Sequence, residues 1–145
     1  SVDNGSSYAV GGLAGANAGT IYNVSVEAEV SGSTIVGGLV GSNRSSASIK
    51  NSSSGGSVYG NSTVGGLVGL NSGLIDSSNT DVEVTATGNN VGSNQVRIID
   101  SYSTGNVNGD SEVGGLVGTN WFQSITNSYS IGTVSARNNV GGLVG

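Results

Sequence analysis

Apolar residues recur along this chain in short clumps at fixed intervals, and no window shows the 3.6-residue apolar period of a helix. The most regular clump is Val-Gly-Gly-Leu-Val-Gly. It begins at Val36, Val64, Val113 and Val140, and Val10 opens the variant Val-Gly-Gly-Leu-Ala-Gly. A sixth Val-Gly, at Val91, stops after Gly92 and continues as Ser93-Asn94. The opening valines step along the chain by 26, 28, 27, 22 and 27 residues.

Two further landmarks follow each opening. Asn17, Asn43, Asn71 and Asn120 lie seven residues after their Val, whereas Asn94 lies three after Val91. The short unit has therefore lost four residues, and the Ser-Asn it shares with Ser42-Asn43 identifies them as Gly-Leu-Val-Gly. The third landmark is a polar corner at Asn23, Asn51, Asp76, Asp100 and Asn127, each with an aliphatic residue two positions before it: Ile21, Ile49, Leu74, Ile98 and Ile125. Val30, Val58, Val107 and Val134 stand seven positions after four of these corners. Length variation concentrates in the turn after the Gly-Leu-Val-Gly word, as expected of a surface turn between strands of constant length.

Each unit supplies three short β-type segments separated by Gly, Asn, Ser and Asp, the residues that turns favour. One unit of this size cannot bury its own apolar side, but stacked units can. The pattern predicts an all-β fold, a parallel β-solenoid with a right-handed coil. It has about five coils of 22–28 residues in a single domain over 1–145, and with strands ~4.8 Å apart the rod is ~25 Å long. Equivalent residues then form columns. Ile21, Ile49, Leu74, Ile98 and Ile125 make one core column; Leu13, Leu39, Leu67, Leu116 and Leu143 make another, broken in the fourth coil. That loss costs ~2–5 kcal/mol if a void remains, and predicts a pinch or kink there. The Asn columns are expected at inner corners, bonded from coil to coil as stacked amides. Tyr102 and Tyr129 are expected to stack.

Composition narrows the function. Gly accounts for 27 residues, there is no Pro, Cys, Met or His, and only 9% of residues are charged. Four Lys plus Arg against nine Asp plus Glu cannot form the basic face that nucleic acid needs. No apolar run is long enough to span a membrane as a helix. Without Cys or His there are no disulfides, no thiolate chemistry, no Cys/His zinc site and no imidazole general base. These absences argue against an enzyme and against a resident cofactor.

The word Val-Gly-Gly-Leu-Val-Gly at this spacing, with Asn17, Gly19, Ile21 and Asn23 or Asn127-Ser128-Tyr129-Ser130, Gly132 and Val134 after it, resembles the GLUG repeat of bacterial surface and secreted proteins. The fourth copy departs from it by lacking Gly-Leu-Val-Gly. Such repeats occur in haemagglutinin-like adhesins and in non-catalytic parts of immunoglobulin A1 metalloproteases. The resemblance implies an extracellular or cell-surface location and a structural or adhesive module, with no catalytic site. Neither end of the chain reads as a capping repeat, which predicts a fragment of a longer chain or a filament subunit. The expected partners are neighbouring domains of the same chain or a second copy end to end, with a host glycan or protein as a further class.

Few residues are candidates for chemistry. Asp76 and Asp100 read as occupants of one column in adjacent coils, with backbones ~4.8 Å apart. Two carboxylates there suit Ca²⁺ or, less well, a glycosidase pair; alternatively they replace Asn at a structural corner, with Arg97 as partner. Glu27 with Glu29, Asp81 with Glu83, and Asp110 with Glu112 each share a strand face, which suits either a solvated surface or a cation. Trp121 and Phe122, in the variable turn of the fifth coil, are candidates to stack on a sugar or meet a partner protein, or else to fold back over the core.

Overall fold

The computed structural model describes residues 2–3, 8–86, 89–91, 93–94, 98–120 and 124–145. Among these there is no helix, and the strands pair in parallel from one coil to the next. The chain is a parallel β-solenoid. Two of its faces are stacks of five strands, so about four turns separate the first rung from the last.

Each coil contains four strand segments rather than three. The Val-Gly-Gly-Leu-Val-Gly word bends at its second Gly and Leu. Its first half forms one face (Ala9–Gly11, Ile35–Gly37, Val64–Gly65). Its second half runs into the Asn landmark on the next (Ala14–Asn17, Val40–Asn43, Val68–Asn71). The third face carries the Ile residues (Thr20–Tyr22, Ser48–Lys50, Leu74–Asp76). The fourth carries the longest strands (Ser25–Ser31, Ser53–Gly60, Asn79–Ala86), which alternate buried and exposed residues.

Glycine makes the bend possible by leaving out atoms. A Cβ on Gly37 would lie 2.0 Å from the Val40 carbonyl oxygen, and one on Gly65 2.0 Å from that of Val68. A Cβ on Gly38 would lie 2.0 Å from the Gly66 oxygen and 3.0 Å from Ser54 Oγ. Among the described glycines only Gly56 has a positive φ, 103°. The word therefore uses glycine for close approach and not for backbone handedness.

The core divides into two apolar clusters joined by this word. Its opening valines (Val10, Val36, Val64, Val113) face Val30, Val58, Val84 and Val107 in one cluster. Its Leu and second Val (Leu39, Val40, Leu67, Val68, Val117) face Ile49, Ile75 and Ile98 in the other. At the waist between them, the second Gly abuts a hydroxyl column: Gly38 lies against Ser54, Gly66 against Thr80 and Gly115 against Ser130. Ser54 Oγ donates to the Gly66 carbonyl at 2.8 Å and lies 3.2 Å from Thr80 Oγ1.

The Ile column is Ile21, Ile49, Ile75, Ile98 and Ile125. Leu74, expected there, pairs with Ser48 and is only half-buried. The corner residue explains the shift by one. Asn23, Asn51, Ser77, Asp100 and Asn127 all adopt left-handed φ values, between 47° and 57°. Thus Ser77, and not Asp76, turns the third corner. Since strand faces alternate, this single step exchanges Leu74 for Ile75 in the core.

The short coil keeps its place in the stack. Val91 pairs with Val113, while Ser93 pairs with both Leu70 and Thr119. The missing residues thus correspond to Gly115–Gly118, the Gly-Leu-Val-Gly word. Leu67 and Val68, on the rung before the gap, are each 8% exposed, whereas Leu39 and Val40, one rung further back, are fully buried. Val117, on the rung beyond, is 3% exposed and belongs to the same cluster. The gap breaks the ladder of the first face, where Val64–Gly65 and Asn89–Val91 belong to separate sheets, and thins one wall of the core, while the second and third faces stay continuous.

Two substitutions test the close approach. Gly38→Ala is expected to destabilise the chain by about 1–3 kcal/mol through overpacking. Gly142→Ala, at the same place in the last word with nothing within 4 Å of its Cβ, is expected to change stability by less than about 0.5 kcal/mol. Urea unfolding of both variants checks this, and equal effects would contradict the account. Restoring Gly-Leu-Val-Gly after Gly92 is expected to raise stability by about 1–3 kcal/mol by completing the apolar wall; the unfolding midpoint reads it directly.

Candidate functional site

The buried polar side chains form ladders. Asn17, Asn43 and Asn71 stack in register at the end of the second face. Asn17 Nδ2 donates to Asn43 Oδ1 at 2.9 Å, and Asn43 Nδ2 to Asn71 Oδ1 at 2.8 Å. The second proton of each amide goes to a backbone carbonyl of the next rung, Ser48 or Leu74. Asn17 Oδ1 and Asn71 Oδ1 also accept the N–H two residues on, at Gly19 and Gly73, which closes the turn. Asn43 is fully buried. An amide here is held because it bonds along the axis with both its donors.

A second ladder follows the left-handed corner. Ser52, Ser78, Ser101 and Ser128 each donate to the carbonyl two residues back, at 2.7–2.9 Å. Each also accepts a backbone N–H from the rung before: Val24, Ser52, Ser78 and Ser101 respectively, at 3.2–3.4 Å. One hydroxyl thus pins its own corner and ties it to the previous one. The sequence carries this as the serine after four of the five corner residues, with Val24 in that place after Asn23.

The expected Asp76–Asp100 pair does not share a column. Asp76 lies opposite Lys50 on one side and Ile99 on the other, while Asp100 is in line with Ser77. Asp76 Oδ1 accepts from Ser77 Oγ at 2.9 Å. The cause is the same one-residue step at the third corner. Val84 was the available signal: the valine seven positions after each corner is found in the third coil only when the corner is Ser77. Arg97 lies outside the described residues. Among the described residues no group of three or more acidic side chains gathers as metal ligands do.

The remaining candidates lie on surfaces. Glu27 and Glu29 are exposed on one strand face, as are Asp81 and Glu83 two rungs on, in line with them. Thr104 Oγ1 donates to Asp81 Oδ1 at 2.7 Å. Asp110 pairs with Arg137 at 3.5 Å, while the Glu112 side chain is outside the described set. The Tyr102 and Tyr129 rings stack with centroids 5.0 Å apart and planes 3° from parallel, and Tyr129 is half-exposed. Trp121 and Phe122 lie outside the described residues.

The GLUG motif, as a family model, matches residues 6–31 and 109–135. Two units of the solenoid are therefore similar to the GLUG motif, and the rungs between them stack in parallel with both. No curated protein matches the chain.

The amide ladder gives a direct prediction. Asn43→Leu keeps a side chain of similar size but removes the acceptor of one Asn17 Nδ2 proton and one donor to Asn71 Oδ1. A loss of about 2–3 kcal/mol is expected from unmet buried hydrogen bonds. Unfolding by urea measures it; a variant as stable as the parent would show that the ladder contributes nothing.

Proposed function

We propose that this chain is a structural module of an extracellular bacterial surface protein, a stiff β-solenoid stalk or filament segment that holds adhesive parts at a distance. The observation that carries the reading is where the buried polar groups are used. The buried polar residues among those described are Asn, Ser and Thr, and the amide and corner-serine ladders bond rung to rung. Such a molecule resists bending and extension because parallel backbone ladders tie rung to rung, reinforced by the amides of Asn17, Asn43 and Asn71 and by the corner hydroxyls. The proposal gives the module no catalytic step and no cofactor. The GLUG motifs support the surface setting through the resemblance to adhesins.

End-to-end partnership is part of the proposal. The rungs carry the same Val and Ile columns from one to the next, so a rung from neighbouring parts of the same protein or from a second copy fits the stack in the same register.

Antibody against the chain, applied to intact and to lysed cells of the source organism, tests the reading together with electron microscopy of the native parent protein. Labelling of intact cells and straight rods or filaments are expected. Labelling only after lysis, or a parent without any rod, would overturn it.

A further inference from the structure

On the fourth face a groove of about 270 Å³ runs along the solenoid axis across three rungs. Glu83, Asn106 and Thr133 form one wall, and Asn108 and Ser135 the other. The walls are two residues apart along the strands, ~6.6 Å. The floor is the backbone of Val84 and Val107, whose side chains are turned into the core. The Thr133 N–H donates to Asn106 Oδ1 at 3.0 Å, which fixes that amide in the wall and leaves its Nδ2 protons as donors.

From this groove we infer a binding site for a neutral, linear glycan lying along the solenoid axis. Carboxamides and hydroxyls both donate and accept, as sugar hydroxyls do. The walls repeat once per rung, every ~4.8 Å, close to the length of one pyranose unit in a β-linked chain. An extended peptide repeats its side chains only every second residue, ~6.7 Å, and falls out of step with the rungs. The chemistry also excludes other ligands. No Lys or Arg lines the groove and Glu83 does, so an acidic polymer is repelled. Amide and hydroxyl groups stand on both walls, so a lipid tail or an apolar peptide would leave them unpaired. The groove is lined without Trp121 and Phe122, which lie outside the described residues, and it stands whether or not the chain serves as a stalk.

Amide chemical shifts of the full chain, titrated with cellohexaose, chitohexaose and hexagalacturonate, test the inference. Saturable shifts confined to residues around Asn106, Asn108, Thr133 and Ser135 are expected with at least one neutral hexamer and not with the acidic one. The double variant Asn108→Ala with Ser135→Ala is expected to bind at least tenfold more weakly. Lys50→Ala, on another face, is expected to bind as the parent does. Melting curves confirm that each variant is folded. Absence of saturable shifts with both neutral hexamers would overturn the site. So would equal binding of hexagalacturonate, or full affinity in the folded double variant.

Discussion

Everything in this molecule depends on vertical register: each residue sits one strand spacing above its own counterpart. Parallel in-register stacking makes side chains meet their own kind, so the interior is decided column by column. An apolar column gives a dry seam of Val or Ile. An amide column gives Asn17, Asn43 and Asn71, each donating toward the next. A hydroxyl column gives the corner serines, each tied to the rung before it. A buried amide or hydroxyl would normally need a dedicated partner elsewhere in the fold. Here the partner is the same residue of the adjoining repeat, and so a chain with little charge and no cysteine can fill its interior with Asn, Ser and Thr.

Register in turn rests on two devices with no bulk. The glycines of Val-Gly-Gly-Leu-Val-Gly let the chain double back on itself until the backbones nearly touch, bringing one word into both apolar clusters. The left-handed corner fixes where the next strand begins, and the serine after it locks that choice. The short fourth coil shows the strength of this arrangement. Four residues are missing, yet Val91 keeps its partner on the following rung and Ser93 its partners on both neighbouring rungs. The change is confined to the first face, whose ladder breaks ahead of Val91, and to the adjoining wall, where Leu67 and Val68 gain slight exposure.

The class of fold, the identity of the missing word, the amide ladder and the tyrosine stack were all legible in the sequence, because each follows from spacing alone. The third corner was not. Leu74 and Ile75 are adjacent aliphatics, and Asp76 and Ser77 are adjacent corner formers, so local preference fits two registers one residue apart. Asp adopts left-handed φ more readily than Ser, which favours Asp76 on local grounds. The distant Val84 decides for Ser77. The shared column of Asp76 and Asp100 disappeared with that step. The bend inside the glycine word was hidden for a different reason: close backbone approach leaves no side-chain pattern other than glycine itself. The axial groove was invisible because its walls come from three rungs and contain only common polar residues.

The measurement closest to the central claim is a set of methyl nuclear Overhauser effects from the third coil. In-register stacking with the corner at Ser77 requires contacts from Ile75 methyls to both Ile49 and Ile98, with Leu74 showing neither. Contacts from Leu74 to Ile49 and Ile98 in place of Ile75 would contradict the register, and with it the corner, the serine ladder and the arrangement of the core built on them.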